Sequence, residues 1–154
     1  MRRVAGWWLL VPWLLAAGCA VPPAEEGFTP VPEAERPVVV PGRDTPPAVR
    51  RLIARAREAA RAGRLDRAEA LLERAVRIDP RNPVLWHYMA RVHLHQGRAA
   101  RAEGLAAKSN SLARGDRLLQ EANWRVIAHA RAARGDAAGA RAAEARAEAL
   151  GAGR

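Results

Sequence analysis

Cysteine is nearly absent: Cys19 is the only one in 154 residues, so no intrachain disulfide can form. Hydroxyl nucleophiles are almost as scarce. Beyond Cys19 there are Thr29, Thr45, Ser109 and Ser111, with the phenol of Tyr88. None of the serines sits in a nucleophile-elbow setting, and no glycine-rich phosphate loop is present. These absences argue against an enzyme and against a nucleotide cofactor. Aromatic residues make up 5% of the chain, too few for a base-stacking platform. No recognition-helix motif is present either, so the net charge of +10 does not indicate nucleic-acid binding. Strand-like alternation of β-branched residues is missing, which leaves an all-α class. The four histidines do not make a metal site. His93 and His95 are two apart and point to different sides of a helix. His87 and His95 share a face but have Arg91 between them, a poor neighbour for a cation.

What is present begins with Met1-Arg2-Arg3, an apolar stretch over residues 4–15, and the small residues Ala16, Ala17 and Gly18. Charged, apolar and small segments in that order read as a secretory signal. The stretch is shorter than the ~20 residues of a membrane span, and Pro12 interrupts it. The run Leu14-Leu15-Ala16-Ala17-Gly18-Cys19 resembles the lipobox of bacterial lipoproteins, with Ala16 where leucine is commoner. The resemblance implies cleavage before Cys19 and acyl chains, palmitate among them, on its sulfur and new amino group. At ~0.8 kcal/mol per buried CH₂ several chains anchor a protein durably. Ala20, not aspartate, follows the cysteine, which by analogy with enteric lipoproteins implies the outer membrane and a periplasm-facing domain.

Residues 19–47 read as the lipidated cysteine and an unstructured tether. Eight of the eleven prolines fall between residues 20 and 47, and proline propagates neither helix nor sheet. The tether would reach roughly 80 Å at ~3.1 Å per residue. It is mildly acidic, with Glu25, Glu26, Glu33, Glu35 and Asp44 against Arg36 and Arg43. Val38-Val39-Val40, between prolines, reads as linker.

From residue 48 to 150 the chain reads as helix, leaving 151–154 as a tail. Alanine, arginine, leucine and glutamate dominate, and Pro80 and Pro83 bracket one turn. Ala56, Gly63 and Ala68 recur 34 residues later as Ala90, Gly97 and Ala102. Trp86, Ala90, Gly97 and Ala102 recur after 38 residues as Trp124, Ala128, Gly135 and Ala140. The extra four residues are expected around residues 112–116. Small residues let two helices approach closely, and glycine ends a helix in the left-handed conformation. Trp86 and Trp124 are expected to bury their rings between hairpins.

These marks resemble the tetratricopeptide repeat, in about three helix-turn-helix units forming an α-solenoid. Departures are Leu52 in place of tryptophan, Ser109 at a usual alanine position, and an alanine-rich last helix. Three units are near the minimum for a stack, so a partner or self-association is expected to complete it. The resemblance implies a concave groove lined by the second, fifth, ninth, twelfth and thirteenth positions of each unit. With units starting at Val49, Pro83 and Glu121, that groove holds Arg57, Arg61, His87, Arg91, His95, Arg125 and His129 and no acid. Similar family members clamp peptide carboxylates. From residue 48 onward 22 Lys plus Arg stand against 11 Asp plus Glu, a net of +11, which fits an anionic ligand.

The expected function is a membrane-anchored adaptor that binds an acidic or C-terminal peptide segment of a protein partner and aids assembly of an envelope complex. The alternative is a regulator of a cell-wall enzyme, or a binder of anionic envelope polymer or lipid. On either reading the groove histidines would strengthen anion binding as pH falls through ~6.5.

Overall fold

The computed structural model describes residues 39–153. The signal segment, Cys19 and most of the tether lie outside the described residues. Among the described residues six helices follow one another: α1 (Pro47–Arg61), α2 (Leu65–Ile78), α3 (Pro83–His95), α4 (Ala99–Leu112), α5 (Arg117–Ala133) and α6 (Ala137–Ala152). Each consecutive pair packs together, giving three hairpins in an all-α helical repeat.

The glycines at the repeat period do what their spacing predicts. Gly63, Gly97 and Gly135 have φ of 70°, 74° and 79°, a region that a side chain would strain. In all three hairpins the residue after the glycine donates its amide to a carbonyl five residues back. Arg64 reaches Ala59 at 2.9 Å, Arg98 reaches His93 at 2.9 Å, and Asp136 reaches Arg131 at 3.0 Å. These bonds satisfy carbonyls that the ended helix leaves open and turn the chain into its second helix. The repeated alanines sit at the crossings: Ala68, Ala90, Ala102 and Ala128 are each 0% exposed.

The four extra residues lie elsewhere than expected. The turns before α3 and α5 have the same length, but α5 is 17 residues long against 13 for α3. The insertion is thus the additional first turn of α5, residues 117–120, and not the preceding loop. Within it Leu119 enters the main core cluster, 1% exposed. The tryptophans also differ from expectation. Trp86 is only half-buried, its indole nitrogen donating to the Pro80 carbonyl at 2.9 Å. Trp124 is half-buried beneath the Arg146 guanidinium, 4.7 Å from the ring centre. Both rings pack part of their surface against the core clusters and leave the rest exposed.

Residues before 48 also pack against the helices. Val39, from the valine run read as linker, is 5% exposed within the core cluster, and Thr45 is 6% exposed. The Asn82 side chain donates to the Thr45 hydroxyl at 3.2 Å while its oxygen caps α3 at the Val84 amide. One residue therefore fixes both the start of α3 and the incoming chain.

Candidate partner-binding face

Helices α1 and α3 touch, as do α3 and α5, whereas α2 does not touch α4 and α4 does not touch α6. The odd-numbered helices therefore form the inner row of a curved stack and the even-numbered ones the outer row. All seven groove residues expected from the sequence lie on the inner row, but they do not form one surface.

Three arginines do converge. The Arg57 guanidinium stacks on the Tyr88 ring, 5.7 Å from its centre. Arg57, Arg91 and Arg61 all act electrostatically on the Tyr88 hydroxyl. They oppose the larger effect of burial, which raises its pKa. Arg57 and Arg91 are half-buried, while Arg61 and His95 are exposed. Tyr88 thus anchors a basic face made from the C-terminal halves of α1 and α3. It escaped the positional reading because its place in the repeat is not a groove position.

His87 is a correction. It is 2% exposed, and its Nδ1–H donates to the Asn123 amide oxygen at 2.8 Å. Asn123 in turn donates to the Ser109 hydroxyl at 2.8 Å and to Asn110 at 3.0 Å, and Ser109 donates to the Pro83 carbonyl at 2.8 Å. The network ties α3, α4 and α5 together and explains the serine at an alanine position. Burial, aided by the nearby Arg91 charge and opposed by the Asn123 bond, pushes the His87 pKa down to about 4. The ring is neutral at physiological pH and cannot serve as a groove cation.

Arg125 is a second correction. It is ion-paired with Glu121 on its own helix and lies 3.6 Å from Glu144 on α6. Its charge is committed between α5 and α6, and two acids stand where the groove was expected to have none. His129 is half-buried on the same helix. The basic character of the inner face therefore belongs to the first two hairpins.

Adjacent hairpins share an electrostatic clip that the sequence reading missed. Glu69 on α2 accepts from Gln96 at 2.9 Å and from Arg98 at 3.0 Å. The Gln96 bond, together with His93 and Arg98, holds its pKa low despite burial. One period later, Glu103 on α4 accepts from Arg131 at 2.8 Å and Arg134 at 2.9 Å. Glu69 and Glu103 are 34 apart, so this recurrence was available in the sequence. Arg141 occupies the corresponding place in the third hairpin.

A family model described as tetratricopeptide repeat matches residues 59–123. The globular C-terminal domain of P. aeruginosa LpoP is 41% identical, with a TM-score of 0.66, and the match covers 67% of this chain and 97% of that domain. The chain belongs to the tetratricopeptide repeat family. No curated protein sequence matches it. Among the described residues no group of three or more His, Cys, Asp or Glu could hold a metal ion. No described helix is long and apolar enough to cross a membrane.

Proposed function

We propose that this protein is a lipid-anchored adaptor of the bacterial envelope. It is held by Cys19 in the outer membrane facing the periplasm, and its repeat domain binds and regulates a cell-wall enzyme. The observation that carries the reading is Arg57 stacked on Tyr88, with Arg61 and Arg91 acting electrostatically on the same hydroxyl along the inner row. A guanidinium stacked on the phenol, with two further arginines within electrostatic reach of it, suits an acidic or C-terminal peptide segment, because guanidinium groups pair with carboxylates through planar, two-pronged hydrogen bonds. The likeness to the LpoP domain across 97% of its length supports a domain that acts as a unit. A proline-rich spacer carries it from the membrane toward the cell-wall layer.

Affinity capture from envelope extracts tests this. The mature chain should recover a cell-wall enzyme, and Arg91→Glu should lose it with helicity unchanged. Recovery of anionic polymer or lipid without any protein would favour the alternative use of the same face.

A further inference from the structure

The basic face already has an occupant at one end. The Val39 carbonyl accepts the Tyr88 hydroxyl at 2.6 Å, and Val39 shares a buried cluster with Val49, Ile53 and Tyr88. Further along, the Thr45 carbonyl accepts from the Arg50 guanidinium at 2.7 Å, and its hydroxyl meets Asn82 just before α3. Between these points the chain runs from the middle of α3 back to its start, against the helix direction. The direction from Thr45 to Val39 thus points along α3 toward its C-terminal end.

Arg57, Arg61 and Arg91 lie in that direction. Arg61 is one turn beyond Arg57 and Arg91 is nearly one turn beyond Tyr88, roughly 6 and 4.5 Å at ~1.5 Å per residue. No carboxylate among the described residues pairs with Arg57 or Arg61. Glu35 and Glu33 precede Val39 by four and six residues, or ~12 and ~19 Å of extended chain. Between residues 20 and 38 the only base is Arg36, against Glu25, Glu26, Glu33 and Glu35. The segment therefore carries the charge complementary to the face it approaches.

We propose that residues 33–38 continue along the inner face, with Glu33 and Glu35 paired to the Arg57, Arg61 and Arg91 cluster, so that the tether is the first ligand of the partner-binding face. This rests on the reading of that face given above. A partner's acidic segment then binds by displacing the tether, and release of these six residues lengthens the reach of the domain by ~19 Å. Tether extension and partner binding become coupled, each favouring the other, as competition for one site requires.

The test uses a glutamyl endopeptidase on the mature chain in detergent at low salt. Cleavage after Glu33 and Glu35 should be slower in the wild type than in Arg57→Gln/Arg61→Gln by roughly fivefold, the sum expected of two exposed ion pairs. Cleavage after Glu25 and Glu26 should be the same in both proteins. High salt should abolish the wild-type protection, a reading that needs no variant and holds if the double variant fails to fold. Equal rates in both folded proteins, or salt-independent rates in the wild type, would overturn the proposal. Protection that grows with protein concentration would also overturn it, since the tether would then be docking on a second copy. Affinity capture with the same variant separates the two readings. Lost partner with an unchanged cleavage pattern sinks only the tether contact, whereas altered cleavage with partner retained sinks only the binding face.

Discussion

The buried imidazole of His87 makes a quantitative prediction about acid. In the unfolded chain the ring titrates near 6.5, and in the folded protein near about 4. Between those values the unfolded state binds a proton that the folded state refuses, so stability falls as pH falls. The His87 contribution is intact above 6.5 and is lost progressively down to about 4. For a change from about pH 7.5 to about pH 5, the two pKa values give a loss of about 2 kcal/mol, roughly a thirtyfold shift in the unfolding equilibrium. His93 is also shifted downward, chiefly by burial, and adds a loss of the same sign. Urea denaturation at both pH values measures the total, and His87→Gln isolates the part due to His87. The variant should lose about 2 kcal/mol less on acidification than the wild type, whatever its stability at neutral pH. An identical pH profile for the two proteins would refute a buried neutral His87.

Other changes test the packing and the anchor. Ala90→Leu should overpack the α3 crossing and destabilise by roughly 1–3 kcal/mol, read as a lowered urea midpoint at unchanged slope. Trp86→Ala should lose about 2 kcal/mol, less than the 3–5 of a fully enclosed aromatic ring, because the indole is half-buried. Cys19→Ser should abolish metabolic fatty-acid labelling and release the protein from the detergent phase, and equal labelling would remove the lipoprotein reading.

The repeat was legible in the sequence because its marks are local. A glycine at positive φ and an alanine at a crossing are dictated by backbone geometry within one hairpin, so their spacing exposes the period. Side chains whose partners sit on another hairpin were not legible. His87 looked like a groove residue by position, and only Asn123, 36 residues away, shows that it faces inward. Arg125 lies on α5, but Glu144 on α6 decides where its charge goes. Val39 was read as linker because valines between prolines carry no periodicity, and its burial depends on Tyr88 49 residues later. The Glu69 and Glu103 clip had a sequence signal, a recurrence at the repeat period, that a search for small residues and tryptophans passes over.

The central claim, that a partner is held on the basic inner row, is tested most directly by photo-crosslinking in living cells. A photoreactive residue at Arg61 or His95, exposed on the inner row, should trap one cell-wall enzyme identifiable by mass spectrometry. The same residue at Arg74 or Arg101, exposed on the outer row, should trap none. Capture of that enzyme from the outer positions, with the inner positions silent, would contradict the inner face as the binding site.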